Sequence, residues 1–132
     1  MKVNGQSSIR SFMSVIPHSI EPNQELEDAR KLMGRFGIRH LPVLSGGRVV
    51  GLLAERDLTY IKTLPGVQES ALRVRDAMVY DPVIVSDQAS LREVSQQMAE
   101  QHIGSVLVCD AQQHLVGIFT YVDALKALGQ LP

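Results

Sequence analysis

The feature that most constrains this chain is that it is written twice. Displacing the sequence by 65 positions lays Arg10, Met13, Pro17, Leu26, Met33, Ile38 and Val43 on Arg75, Met78, Pro82, Leu91, Met98, Ile103 and Val108. One extra residue in the following turn raises the offset to 66 and brings Val50, Gly51 and Asp57 onto Val116, Gly117 and Asp123. Apolar positions keep the same register: Ile9 with Val74, Ile20 with Val85, Leu41 with Val106, Leu52 with Ile118. A period of this size marks one supersecondary unit built twice. At roughly 60 residues a half is marginal alone, so the two are expected to pack against each other.

Both copies share one grammar. A lead-in (Ile9–Met13, Val74–Met78) precedes a short extended segment, around Ser19-Ile20 in one copy and Val83-Ile84-Val85 in the other. A helix is predicted from about Gln24 to Phe36, with Leu26, Ala29, Met33 and Phe36 on one face and Gly37 as its stop. Its acids lie early and its bases late, as the helix dipole favours. Leu91, Val94 and Met98 form the matching stripe. Two β-rich runs follow, Leu41–Leu44 with Val49–Leu53 and Val106–Cys109 with Leu115–Phe119, each pair split by a polar turn. A last helix starts near Glu55 and near Tyr121. The reading is strand–helix–strand–strand–helix twice, over 9–62 and 74–128, with 63–73 as linker.

Composition narrows the function. Thirteen Lys and Arg against 14 Asp and Glu leave a net charge of −1, with no basic field for nucleic acid or an anionic membrane. A charged ligand therefore needs a local site. No apolar run has the length of a membrane span and the N-terminus carries no signal-peptide core. The single cysteine, Cys109, excludes an internal disulfide and suits a reducing compartment, so a cytoplasmic protein is expected. Cys109 lies in an apolar run and reads as a buried, inert thiol. His18, His40, His102 and His114 show no metal-ligand spacing, and no nucleophile grouping, phosphate loop or dinucleotide fingerprint occurs. Neither a metal nor an enzymatic activity is expected.

Gly37-Ile38-Arg39-His40-Leu41-Pro42-Val43, followed by Gly51-Leu52-Leu53-Ala54-Glu55-Arg56-Asp57, resembles a cystathionine-β-synthase (CBS) domain. Ile103–Val108 followed by Gly117-Ile118-Phe119-Thr120-Tyr121-Val122-Asp123 resembles a second. Together they resemble a Bateman module covering Ile9 to Leu128. The resemblance implies an α+β fold of two βαββα repeats related by a pseudo-twofold axis, with a cleft on each side of it. It also implies a regulatory sensor of an adenosine-containing ligand: AMP, ADP, ATP or S-adenosylmethionine, with no cofactor required. A chain of 132 residues leaves no room for an attached catalytic domain, so a target protein in trans is expected.

Thr120-x-x-Asp123 reads first as a capping box, hydroxyl to backbone N–H and carboxylate back again. The same helix N-terminus suits a phosphate, and the carboxylate can accept from both hydroxyls of a ribose. Repeat one keeps Asp57 but has Ala54 where the family usually has Ser or Thr. It adds Arg39, His40 and Arg56, which can bind phosphate oxygens. By family analogy the Asp57 cleft combines Asp57, Arg56, Arg39 and His40 with Val79, Ile84 and Ile103. The Asp123 cleft combines Asp123 and Thr120 with Ser14, Ser19 and Ile38. Gly104 and Ser105 stand there in place of the Arg-His pair, so the Asp57 cleft is the expected phosphate site. The Asp123 cleft is expected to be empty, weaker or suited to a less charged adenosyl ligand, and Arg39 is a candidate for either cleft.

Two other readings compete. One is an interaction scaffold that keeps the fold and binds no nucleotide, which Ala54 and Gly104-Ser105 favour. The other is the regulatory fragment of an enzyme. The resemblance further implies a homodimer joined through helices; the stripes Leu26/Ala29/Met33/Phe36 and Leu91/Val94/Met98 are either apolar faces left for that contact or consumed by the internal core.

Overall fold

Each polar turn closes an antiparallel hairpin. In the first repeat β1 (His40–Ser45) and β2 (Arg48–Ala54) meet around Gly46 and Gly47. Both glycines have positive φ, 58° and 80°, the backbone of a two-residue turn whose twist matches the strands it joins. In the second, β5 (Ser105–Cys109) and β6 (Leu115–Thr120) pair in the same manner. The computed structural model describes residues 4–15 and 18–132; Pro17, one of the repeat identities, lies outside them.

Helix α1 (Leu26–Phe36) precedes the first hairpin and ends on Gly37 at φ 62°, the left-handed stop its sequence suggests. It begins two residues later than Gln24. The Gln24 carbonyl accepts from Val74 N–H at 2.8 Å, and Glu25 forms an isolated bridge with Arg73. Those two residues are spent on pairing. Helix α2 (Glu55–Thr63) leaves the hairpin directly. The linker 63–73 is not featureless: a 3-10 turn spans Glu69–Ala71, and Glu69 accepts from Arg30 Nε at 2.5 Å. A short α3 (Val74–Ala77) and then β3 (Val79–Tyr80) follow.

In the second repeat β4 (Ile84–Ser86) precedes α4 (Leu91–Gln101), and α5 (Tyr121–Leu128) leaves the hairpin. Ser90 caps α4, its hydroxyl accepting from Glu93 N–H at 3.1 Å. His102, at φ 54°, takes the place Gly37 holds in the first copy.

The sheets run β1-β2-β3 and β4-β5-β6. A parallel segment lies on one side of each hairpin and an antiparallel one on the other. Where one copy has a strand, the other has a single bridge. β4 pairs parallel with β5, matched by the lone bridge Ile20↔Val43, so the predicted strand at Ser19-Ile20 is reduced to one residue pair. β3 pairs antiparallel with β2 through Gly51↔Tyr80 and Leu52↔Val79, matched by Ser14↔Ile118. The sequence reading did not anticipate β3.

The chain divides into a central unit, residues 17–82, and a terminal unit, residues 1–16 with 83–132. The two lead-ins are thereby exchanged. Ile9 is fully buried in the terminal core with Val94, Val106 and Phe119; Val74 is fully buried in the central core with Leu26, Leu41 and Leu53. Ile9 N–H donates to Ala89 O and Val74 N–H to Gln24 O, both at 2.8 Å. Arg10 adds an ion pair to the buried carboxylate of Asp87 at 2.6 Å.

The helix stripes are consumed inside these cores. Leu26, Ala29, Met33, Leu91, Val94 and Met98 are all buried, and only Phe36 is exposed. Of the two uses the sequence leaves open for these stripes, the internal core is the one found: each unit has one sheet to cover and uses its amphipathic helix to do so.

The repeated glycines of β2 and β6 have a steric origin. A Cβ on Gly51 would lie 2.5 Å from Met78 Sδ and 2.9 Å from Val79 O; on Gly117 it would lie 2.7 Å from both Met13 Sδ and Ser14 O. Met78 is buried and Met13 half-buried. Because a backbone carbonyl cannot swing aside as a side chain can, Gly117→Ala is expected to cost about 1–3 kcal/mol through overpacking. The check is the urea midpoint; an unchanged midpoint would mean that the Ser14 edge is loosely held.

Candidate functional site

Hairpin register brings the two halves of each sequence motif together. His40 opens β1 and Ala54 closes β2, and they are direct partners across the ladder. Arg39 precedes His40, and its carbonyl accepts from Glu55 N–H, the first amide of α2, at 2.9 Å. Arg39, His40, Arg56 and Asp57 therefore gather at one end of the central hairpin. Arg39 and Arg56 are exposed and form no ion pair or hydrogen bond with other described side chains; His40 is half-buried. Val79 pairs with Leu52 on the other edge of β2 and is 53% exposed.

Asp57 is half-buried at the third position of α2, and its Oδ2 accepts from Ala54 N–H at 2.8 Å. This is the return half of a capping box. Ala54 has no hydroxyl for the forward half. Among the described residues Asp57 Oδ1 has no hydrogen-bond donor.

The terminal unit repeats the geometry with different chemistry. Ser105 pairs with Thr120, and Gly104 O accepts from Tyr121 N–H at 3.0 Å. Here the capping box is complete. Asp123 Oδ2 accepts from Thr120 N–H at 2.9 Å and from Thr120 Oγ1 at 3.2 Å, and Thr120 Oγ1 accepts from Asp123 N–H at 3.4 Å. Asp123 Oδ1 also accepts a long bond, 3.4 Å, from Ser14 Oγ. No cation stands nearby in register: Gly104, Ser105 and Val122 occupy the places of Arg39, His40 and Arg56. The Val122 exchange is legible from the repeat, although the sequence reading did not use it.

The remaining predicted residues fall within one unit or the other. Ile38, packed on the central core, and exposed Ser19 belong to the central unit. Ile84, on β4 and 43% exposed, and Ile103, packed on the terminal core, belong to the terminal unit with Ser14, Thr120 and Asp123. Among the described residues, no three His, Cys, Asp or Glu side chains converge as metal ligands. Burial, and secondarily the carboxylate of Asp110, push the Cys109 thiol above its ordinary range, which disfavours the reactive thiolate.

The fold and the paired motifs define a tandem of two CBS domains. The CBS domain family matches residues 9–62 and 74–130, and the chain belongs to that family. The CBS domain-containing protein YhcV of Bacillus subtilis is 30% identical over 117 residues, 89% of this chain and 82% of that one. An inosine-5'-monophosphate dehydrogenase of Korarchaeum cryptofilum is 30% identical over 105 residues, 80% of this chain but 21% of the enzyme. This chain thus spans only about a fifth of that enzyme's length. An uncharacterized conserved protein of Pyrococcus horikoshii has the same fold, with a TM-score of 0.80 and 27% identity over 95% of this chain and 94% of that one. So does CBSX2, solved in complex with AMP, with a TM-score of 0.75 and 24% identity over 93% and 96% of the two chains. No helix among the described residues is long and apolar enough to cross a membrane.

The terminal hairpin turn carries a pH-sensitive element. Backbone N–H donation from His114, then from Gln112, and the adjacent His114 ring hold the Asp110 carboxyl below its ordinary range. A carboxyl depressed on folding stabilises the turn above its unfolded value, and that contribution is lost as pH falls through the folded value. The protection factors of the Gln112 and His114 amides, that is, their exchange relative to an unstructured peptide at the same pH, are therefore expected to fall in acid, below about pH 4. Asp110→Ala should show fast exchange at neutral pH as well; protection unaffected by that change would refute the assignment.

Proposed function

We propose that this chain is a non-catalytic regulatory module that binds an adenosine-containing nucleotide at Asp57 and signals its presence to a partner protein in trans. One observation carries the reading: two exposed guanidinium groups and an imidazole gather beside a carboxylate with an oxygen open. The Asp57 carboxylate would accept from ribose hydroxyls, while Arg39, His40 and Arg56 would face the phosphates. That favours AMP, ADP or ATP over S-adenosylmethionine, whose adenosyl group carries no phosphate. The fold's occurrence in the AMP complex of CBSX2 is compatible with this, but the reading rests on this chain's own residues. Val79 supplies apolar surface in the same unit; Ile84, Ile103, Ser19 and Ile38 remain candidates for ligand contact by analogy alone. No resident cofactor is proposed. We propose the reducing cytoplasm as its setting, which a single cysteine suits.

Asp57→Ala removes charged hydrogen bonds worth roughly 1.5–3 kcal/mol, so affinity for adenosine and AMP alike should fall by about ten- to a hundredfold. Arg39→Ala should weaken AMP, ADP and ATP and spare adenosine, with an effect that shrinks as salt rises. Calorimetric titration reads both. Full affinity in Asp57→Ala would overturn the site, and absence of heat with every adenosyl compound would favour the scaffold.

We also propose a homodimer, on a surface other than the helix stripes. Helix α5 leaves Tyr121, Val122, Leu125 and Leu128 exposed, whereas the matching positions of α2 are Glu55, Arg56, Thr59 and Lys62. A cleft of about 250 Å³ opens beside this face, lined in part by Leu91, Ala124, Leu128 and Leu131. Light scattering should give about twice the chain mass of 14.5 kDa, reverting to the single mass in Leu125→Lys. A monomeric wild-type chain, or a variant that stays dimeric, would refute this face.

A further inference from the structure

The chain holds two asparagines, Asn4 and Asn23, and only Asn4 is followed by glycine. The side-chain carbonyl carbon of an asparagine is an electrophile close to the backbone nitrogen of the next residue. A glycine there, with no Cβ, lets the two approach. The local structure separates the two positions further. At Asn23 the attacking group is engaged, because Gln24 N–H donates to Glu21 O at 3.2 Å, and the Asn23 side chain accepts from Arg75. At Asn4 the Gly5 N–H has no acceptor among the described residues. Asn4 is exposed, and its Oδ1 accepts from Gln6 N–H at 2.8 Å. That bond folds the side chain back over the Asn4–Gly5 peptide. It also aims a donor at the oxygen on which negative charge develops when Cγ is attacked.

The turn that contains this peptide is docked on α4. Asn4 O accepts from Ser7 N–H at 3.0 Å and closes the turn. Gly5 O accepts from Arg92 N–H at 2.9 Å, and Ser7 O from Leu91 N–H at 2.8 Å. Two of the amides that the start of a helix leaves without helical partners are thus bound by this segment. Gly5 lies against the Arg92 guanidinium, where a Cβ would stand 2.8 Å from Nε. Gly5 and Arg92 both line the cleft beside α5.

We propose that Asn4–Gly5 is a self-modifying site, a property separate from nucleotide binding. The Gly5 nitrogen loses its proton and bonds to Asn4 Cγ; the side-chain nitrogen takes up a proton and departs as ammonia, leaving a cyclic imide. Water then opens the ring. Attack at Cγ gives aspartate, and attack at the main-chain carbonyl gives isoaspartate, with the chain running through the former side chain. Both products add a carboxylate near Arg92 and the positive end of α4, a favourable place for negative charge. Their backbones differ. Aspartate keeps the turn. Isoaspartate lengthens the main chain before Gly5 and converts the carbonyl that accepted from Ser7 into a carboxylate, so the turn opens and Gly5 O loses its hold on Arg92.

The experiment holds the intact chain at mildly alkaline pH, where the attacking nitrogen is more readily deprotonated. Peptide mapping by mass spectrometry follows both asparagines, and chromatography separates isoaspartate from aspartate. Asn4 should convert while Asn23 stays intact, and Asn4→Gln should show no conversion at position 4. In the isoaspartate fraction the Arg92 amide should lose about tenfold in hydrogen-exchange protection, the equivalent of one hydrogen bond, whereas Asn4→Asp should retain it. No conversion at Asn4, or conversion of Asn23 at the same rate, would overturn the site. Conversion with Arg92 protection unchanged in the isoaspartate fraction would overturn its effect on α4. Either result leaves the proposed function standing.

Discussion

Both units depend on a close approach between an edge segment and a hairpin at a glycine. At Gly51 the β3 backbone and the Met78 side chain lie where a Cβ would stand, and at Gly117 the segment Met13-Ser14 does the same. Main-chain bonds secure the approach, as in the reciprocal pair between Ser14 and Ile118. The methionine fills the space the missing side chain leaves, a use to which its unbranched, polarizable chain is suited. Once the edge segment is held there, the lead-in before it must lie against the same unit, which is why Ile9 and Val74 reach their cores.

The exchange of lead-ins follows from that contact. A βαββα repeat read along the chain and a compact unit in space are cut differently, because each unit recruits the lead-in of the other copy. Arg10–Asp87 and the bridges Ser8↔Ser90 and Glu25↔Arg73 all join a lead-in to the start of a helix in its host unit. Backbone hydrogen bonds and a fully buried aliphatic side chain, Ile9 or Val74, hold each lead-in, with Met78 in one core and Phe12 and Met13 packed on the other.

The hairpins then position the candidate residues. Antiparallel pairing sets the first residue of one strand beside the last residue of the next. In the central unit this puts a basic pair beside a helix start that bears a carboxylate. In the terminal unit the same geometry carries glycine, serine and a hydroxyl cap. Identical backbone and divergent side chains turn one architecture into two chemically distinct hairpin ends, one bearing Arg39, His40 and Arg56 beside its carboxylate and one bearing Gly104, Ser105 and Val122.

Much of this was legible in the residues. The 65-residue offset, the helical stripes, the Gly37 stop and the polar turns all report local structure, where neighbours in sequence are neighbours in space. The equivalence of Asp57 and Asp123 and the loss of the hydroxyl at Ala54 needed only the repeat. Other features were settled in three dimensions. The start of α1 moved to Leu26 because Gln24 and Glu25 pair with residues near position 74. The helix stripes turned out to be core rather than interface, since periodicity marks an apolar face without saying what covers it. The bond from Ser14 to Asp123 spans 109 positions. The sequence by itself determined which elements form and which carboxylates correspond, because those depend on local propensity and periodicity. The tertiary structure alone decided which lead-in serves which unit, because pairing between distant segments is chosen by backbone hydrogen bonding and core packing.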